Sequence, residues 1–158
     1  MQRKIGLVLV VLNLIMALMA TNYFLRIQKL SIIQWLAVNT CTPSIIIFVI
    51  GYFLKNMWLM GFSAVFLLFY GGCGLIVFRW SLNLQDLFPQ TGHIFMTCAV
   101  IYIVYVAIVK HEIKKFFIGA LIGLLVFIPL FYFQHRYQIE NPELLKLLGF
   151  KDNYKPTE

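Results

Sequence analysis

Residues 32–54 read IIQWLAVNTCTPSIIIFVIGYFL, an uncharged run with a polar, proline-containing segment at residues 39–44. The run is long enough to cross a bilayer as a helix, which takes about 20 predominantly apolar residues. Pro43 has no N–H group for the carbonyl group of Asn39, and its ring clashes with that carbonyl. We therefore predict a membrane-spanning helix that is kinked at Pro43.

The rest of the chain repeats this apolar pattern, and the pattern sets the fold class. Hydrophobic residues make up 61% of the 158 positions and charged residues only 12%, whereas soluble domains are roughly one-quarter charged. The stretches without a charged residue are 5–25, 32–54, 57–78, 94–109 and 116–133. We predict an all-α integral membrane protein, with a bundle of five transmembrane helices in residues 1–137 and a short amphipathic surface helix and tail in residues 138–158.

The basic residues give the chain a formal net charge of +7, and their positions indicate contact with lipid. They lie at the ends of the apolar stretches, where cations meet head groups, so we expect a lipid bilayer and no nucleic acid as partner. Equal numbers fall on the two sides. Because Lys55, Lys110 and Lys114 lie in short connections, we expect the N-terminus to be cytoplasmic. We expect the membrane to be a prokaryotic cell membrane. We also expect the first helix to be retained.

Polar side chains on the second and fourth predicted helices are candidates for binding a solute or a partner. Asn39, Thr40 and Ser44 share one helical face, and kinked helices with polar groups at mid-depth form the solute sites of transporters. Tyr102 and Tyr105 need partners for their hydroxyl groups. The same residues are equally compatible with plain hydrogen bonding between helices.

Two groups of small residues predict close helix packing. Gly119 and Gly123 in the fifth predicted helix have the spacing that lets two helices approach each other. The third predicted helix carries Gly71, Gly72 and Gly74, which permit close packing or bending. Both groups of glycines favour a helical bundle that assembles with other membrane chains.

Two further features modify the simple bundle. Pro129 is expected to kink the fifth predicted helix near its end. The longest connection, residues 79–93, contains Pro89 and several leucines. Because functional lids and binding loops are found in long connections, we expect a lid or a partner contact there.

No catalytic group is predicted. The apolar stretches contain no Asp, Glu, Lys or Arg, which argues against proton coupling and against an intramembrane aspartyl or metalloprotease. His93 and His135 fall on the same predicted membrane face and are weak candidates for ligating a metal or haem. We expect them to be interfacial histidines instead, and we expect no cofactor.

Residues 70–78, YGGCGLIVF, resemble the Tyr-x-Gly-Ala stretch in the third helix of the J-type membrane subunit of respiratory complex I. The flanking loops do not follow that family, so no function is carried over from the resemblance.

These patterns lead to three hypotheses for the function. The first is a non-catalytic helical-bundle subunit of a larger membrane complex, supported by the small-residue motif and the apolar C-terminal helix. The alternative is a small oligomeric transporter or channel with a polar site at mid-depth on the second helix. The second alternative is a haem- or metal-binding redox protein. Other membrane subunits or further copies of the chain are the expected protein partners.

Overall fold

The computed structural model describes residues 2–77 and 84–147, and this part of the chain consists of helices joined by short turns, without strands. The all-α prediction is therefore confirmed for those residues. The helices are α1 (Gln2–Asn22), which continues into a π-helical turn (Tyr23–Ile27), α2 (Ile32–Val38), α3 (Cys41–Phe53), α4 (Met57–Val77), α5 (Leu84–Val109), α6 (Ile113–Glu140) and α7 (Pro142–Leu147).

Four of these helices are long and apolar enough to cross a membrane, namely α1 with its π-helical turn, α4, α5 and α6. The pair of α2 and α3 passes the same test when the two are counted as one broken span. Large hydrophobic side chains such as Ile76, Leu125 and Leu18 are exposed on the outside of the bundle. An apolar outer surface of this kind is compatible with a location in a membrane.

The second predicted helix is broken rather than kinked. α2 and α3 meet at an angle of 82° on either side of Asn39 and Thr40. Asn39 leaves the helical conformation, with φ −139° and ψ 55°. Pro43 is the third residue of α3, where proline is tolerated because N–H groups of the first turn have no intrahelical acceptor. Pro43 therefore stands at the start of a new helix and does not bend a continuous one.

The fourth predicted helix is longer than the sequence indicated, because α5 begins at Leu84 and not at residue 94. Residues 84–93 of the expected lid are helical, with Pro89 inside the helix, and residues 78–83 lie outside the described part. The predicted span began after His93, because the residues up to His93 were read as a polar connection. His93 and Gln90 are nevertheless buried in the bundle. Packing against other helices therefore accommodates these polar residues within α5.

α6 is also longer than predicted and extends past residue 133 to Glu140, without interruption at Pro129. The Asn141 side chain donates to the carbonyl oxygen of Tyr137 (2.8 Å), so it closes α6. The short α7 follows, with Leu144 buried.

α4 is the central helix of the bundle and contacts α3, α5 and α6. α4 and α6 run in the same direction, because Trp58 and Phe62 of α4 lie against Gly119 and Gly123 of α6 in the same order. α1 and α5 run in opposite directions, because Gly6 lies near Tyr102 whereas Asn13 bonds to Phe95. α4 and α6 are not consecutive in the chain, so α5, which connects them, must run in the opposite direction to both.

The α3–α4 and α5–α6 turns lie at the same end as the N-terminus, which we call the proximal end. Lys55 and His111 form these turns with left-handed backbone (φ 54° and 56°). The N–H group of Asn56 donates to the carbonyl of Gly51 (2.8 Å), which closes α3 in the manner usual for a left-handed residue. The opposite, distal end holds the π-helical turn, α2 and the end of α6.

Candidate functional site

The α2–α3 break is held by side chains of α6. The Gln134 side-chain amide donates to the carbonyl of Leu36 (3.0 Å) and to the hydroxyl of Thr40. Gln138 donates to the carbonyl of Ala37 (2.7 Å). The last carbonyl groups of any helix lack intrahelical donors, and here the two glutamines supply them. α6 therefore closes the C-terminus of α2.

Tyr70 joins α4 to the same network. Its hydroxyl donates to the side-chain carbonyl oxygen of Gln134, and Gln134 is itself buried. The network thus links α2, α4 and α6 at one point. The charge-free count missed Gln134 because it ended the fifth helix at residue 133, one position earlier. Gln134 and Gln138 are one helical turn apart, and this spacing could have indicated a polar face on the helix.

Thr40 and Ser44, two of the predicted binding residues, are buried and engaged with the backbone. The hydroxyl of Thr40 donates to the carbonyl of Leu36 (2.9 Å). The hydroxyl of Ser44 donates to the carbonyls of Thr40 (2.9 Å) and Cys41 (2.8 Å). Both hydroxyl groups therefore satisfy main-chain oxygens at the break, and their donors are not directed at a common point.

Asn39, the third predicted residue of this face, is different. Its side-chain oxygen accepts from the hydroxyl of Thr42 (3.2 Å), in the first turn of α3. Its side-chain Nδ2 is buried and has no hydrogen-bond partner among the described residues, and the same holds for the indole Nε1 of Trp35. Trp35 and Asn39 are one turn apart, and the N–H group of Asn39 donates to the carbonyl of Trp35 (2.8 Å). The break thus keeps two side-chain donors with unused capacity.

The predicted tyrosines lie away from this break. Tyr102 is buried near the proximal end, where its ring is 6.3 Å from that of Tyr52 and its hydroxyl lies beside Gly6. Tyr105 is 47% exposed on the outer surface. The structure therefore places Asn39, Thr40 and Ser44 together and leaves the two tyrosines outside the group.

A second buried polar residue joins α1 to α5. Asn13 is fully buried, and its Nδ2 donates to the carbonyls of Leu9 (2.9 Å) and Phe95 (3.1 Å). A hydrogen bond to a neighbouring helix is the usual role of a single polar side chain in the middle of an apolar helix.

The glycines of the small-residue motif pack within the chain. A Cβ atom on Gly123 would lie 2.7 Å from the carbonyl oxygen of Phe62, and one on Gly119 would overlap the carbonyl oxygen of Trp58. In return, Gly61 of α4 lies against the backbone of Phe116. α4 and α6 therefore approach each other backbone to backbone, so substitutions here disturb the bundle itself before any outside partner.

The glycine cluster of α4 has three different surroundings. Gly71 lies against Met96 and Thr97 of α5, and Gly74 lies against the ring of His93. Nothing lies within 4 Å of the position where Gly72 would carry a Cβ atom. Two of the three glycines thus let α5 approach α4.

The two candidate metal-ligating histidines have unlike environments. His93 is buried against Gly74, whereas His135 is exposed and its ring stacks on Phe131, 6.4 Å away. Within residues 2–77 and 84–147 there is no group of three or more His, Cys, Asp or Glu side chains that could hold a metal ion. The three cysteines are free, and Cys73 is exposed.

Comparisons with known proteins add no assignment: no family model, curated protein or solved structure matches this chain.

Proposed function

We propose that the chain is a membrane-embedded, non-catalytic helical-bundle subunit that binds other membrane chains. The observation that carries the proposal is the position of α6. Within an apolar 18-residue stretch of α6, 17% of the residues are buried, compared with 44% in the corresponding stretch of α4 and 39% in that of α5. Its buried residues lie along one stripe, namely Gly119, Gly123, Phe127 and Gln134. A helix of 28 residues thus leaves most of its surface outside the bundle.

The composition of that surface supports a protein partner on α6. Its exposed side chains include the aromatic residues Phe117, Phe131, Tyr132 and Phe133. α1 is similarly peripheral, with 22% of its span buried, but the exposed large side chains within Gln2–Asn22 are aliphatic. Aromatic residues are enriched in protein interfaces, so α6 is the better candidate for the contact.

The polar groups also favour a structural role. The amides of Gln134 and Gln138 and the hydroxyls of Thr40 and Ser44 are bonded to the backbone at the α2–α3 break. Residues that line a solute pathway would instead direct such groups at the solute. The transporter alternative rests on Asn39 and on the broken span, and it ranks second.

We base the proposed orientation on the lysines at the proximal end. Lys4 and Lys114 lie in the first turns of α1 and α6, and Lys55 and Lys110 lie in the two proximal turns. Short loops rich in lysine stay on the cytoplasmic side. We therefore place the proximal end and the N-terminus in the cytoplasm.

The test is gentle extraction from the native membrane, followed by native mass spectrometry. We expect fixed amounts of other membrane polypeptides to accompany the chain. Leu125→Trp, on the exposed face of α6, should reduce that association. Leu18→Trp on α1 is the matched control, because the two leucines are similarly exposed (65% and 61%). A lone monomer, or a closed homo-oligomer that retains a solute, contradicts the subunit proposal.

A further inference from the structure

We propose that the proximal end of the bundle binds an anionic phospholipid of the proximal leaflet, with Lys55 and Lys115 as its central contacts. The two lysines come from different parts of the chain but meet where α4 and α6 cross. Gly119 of α6 lies against the carbonyl group of Trp58 in α4, and these helices run in the same direction. Lys115 precedes Gly119 by four residues. Lys55 precedes Trp58 by three, so each lysine lies about one turn proximal of the contact.

The side chain of Lys115 lies toward the α3–α4 turn. Residues four positions apart lie on one face of a helix, so Lys115 shares the face of Gly119 that packs against α4. α4 begins only at Met57, so at the level of Lys115 this face meets the turn that holds Lys55. Both lysines are exposed, and their ammonium groups are therefore accessible from the proximal side.

The position of Lys55 is fixed by the backbone of its turn. Lys55 itself adopts a left-handed conformation (φ 54°), and its N–H group donates to the carbonyl of Tyr52 (3.2 Å). The side-chain oxygen of Asn56 accepts from the N–H groups of Trp58 (2.9 Å) and Leu59 (3.3 Å), which caps α4. The turn therefore presents the lysine in one place, and little loop ordering is required when a ligand binds.

Three further lysines extend the positive surface. Lys110 lies in the α5–α6 turn and Lys114 lies in the first turn of α6, and both are exposed. Lys4 is exposed as well, and it precedes Gly6 by two residues. Gly6 lies against the ring of Tyr52 near the end of α3. The start of α1 thus joins the end of α3 at which the α3–α4 turn begins.

The charge at this end favours an anion. Among its described side chains there is one carboxylate, Glu112, and it is paired with Lys115 (2.7 Å). Five exposed lysines therefore stand against a single paired carboxylate. The distal end is more evenly charged, and its described charged side chains are Arg26, Lys29, Arg136, Glu140 and Glu143. The attraction for an anion is therefore concentrated at the proximal end.

The depth of the two turns favours a lipid over an acidic protein segment. Each turn has three residues between its helices, and exposed apolar side chains lie directly beside it, namely Phe53, Leu54, Val109 and Ile113. In a membrane such side chains lie in the hydrocarbon. The lysine stems can follow them while the ammonium groups reach the head groups. The ammonium groups are thus held at the level of the lipid phosphates, where an anionic head group adds attraction.

The experiment is native mass spectrometry of the full chain, delipidated in detergent and titrated with one lipid at a time. The probes are phosphatidylglycerol and phosphatidylcholine with the same acyl chains. Both lipids have a phosphate group, but only phosphatidylglycerol has a net negative charge. We expect the first phosphatidylglycerol to bind more tightly than the first phosphatidylcholine, and we expect this difference to shrink as the salt concentration rises.

Variants assign the binding to the α4–α6 crossing. Lys55→Gln should weaken the binding of phosphatidylglycerol about fivefold, the effect of one cation near the membrane surface, and should leave phosphatidylcholine binding unchanged. Lys29→Gln is the matched control, because Lys29 is an exposed distal lysine with the same left-handed backbone (φ 53°); it should bind both lipids as the wild type does. Lys115→Gln tests the site if Lys55→Gln fails to fold.

Three results overturn the proposal. Equal affinity for the two lipids would mean that the acyl chains alone bind. Equal weakening by Lys29→Gln and Lys55→Gln would mean that the net charge of the chain attracts the lipid, without a site at the crossing. The third result concerns a soluble hexaglutamate peptide. If the peptide binds and is lost in Lys55→Gln, while the chain has no preference for phosphatidylglycerol, the surface belongs to an acidic protein segment.

Discussion

Replacing Gly123 with alanine puts a methyl group between α4 and α6, and we expect the free energy of unfolding to fall. The new Cβ atom would lie 2.7 Å from the carbonyl oxygen of Phe62 and 3.1 Å from its Cα atom. Ordinary contacts begin at 3.4 Å. Because the obstructing atoms belong to the backbone, a rotamer change cannot relieve the overlap. The two helices must separate by about 0.7 Å, the difference between 3.4 Å and 2.7 Å.

The magnitude follows from two opposing effects. Overpacking of a well-packed interface costs about 1–3 kcal/mol. Alanine is a better helix former than glycine by about 0.5–1 kcal/mol. The net loss for Gly123→Ala is therefore about 0–2.5 kcal/mol. Gly72→Ala is the matched control on α4, because its Cβ atom meets nothing within 4 Å; it should keep only the gain of about 0.5–1 kcal/mol.

The assay is equilibrium unfolding in mixed micelles at rising mole fractions of sodium dodecyl sulfate, with helix content followed by circular dichroism. We expect Gly72→Ala to unfold at a higher mole fraction than Gly123→Ala, with the wild type between them. If Gly123→Ala is as stable as Gly72→Ala, the backbone-to-backbone approach of α4 and α6 is refuted.

Two further predictions use the same assay. Gln134→Leu should lower the free energy of unfolding by about 1–3 kcal/mol, because it removes the acceptor of the Tyr70 hydroxyl and the donor to the Thr40 hydroxyl within the bundle; the exposed His135→Leu should change it little, and equal losses would contradict the role of Gln134. His111→Gly should raise the free energy of unfolding by about 1 kcal/mol, since it relieves a left-handed non-glycine residue. Lys110→Gly, at a neighbouring position without a positive φ, should lower it, and a gain there would rule out the backbone explanation.

Much of the helix pattern was accessible from the sequence because charge-free runs are a direct requirement of spanning helices. The stretches 5–25 and 57–78 match α1 and α4 closely. The rule failed where polar residues are buried inside the bundle. His93 and Gln134 each mark the limit of a predicted span, yet both lie well inside α5 and α6. Contacts with other helices, which no local count contains, accommodate these two residues: Gln134 bonds to α2, and His93 packs against Gly74 of α4.

The sequence indicated where the candidate site lies but not which residues of other helices belong to it. The Asn39 segment was visible because a proline beside polar residues is unusual in an apolar run. The residues that contact this segment could not be predicted from the sequence, because they lie on helices distant in the chain. Gln134 donates to the hydroxyl of Thr40, and Tyr70 donates to Gln134. Tyr102 was grouped with Asn39 by polarity alone, whereas the antiparallel course of α1 and α5 places it near the proximal end.

The parallel pairing of α4 and α6 has a consequence for biosynthesis. Gly61 is translated well before Gly119, and at about 5–20 residues per second the ribosome needs several seconds to add the intervening segment. Throughout that interval the face of α4 that packs against α6 has no partner within the chain, because α5 is made before α6. A chain truncated before residue 113 would therefore lack the helix that covers the glycine-containing face of α4.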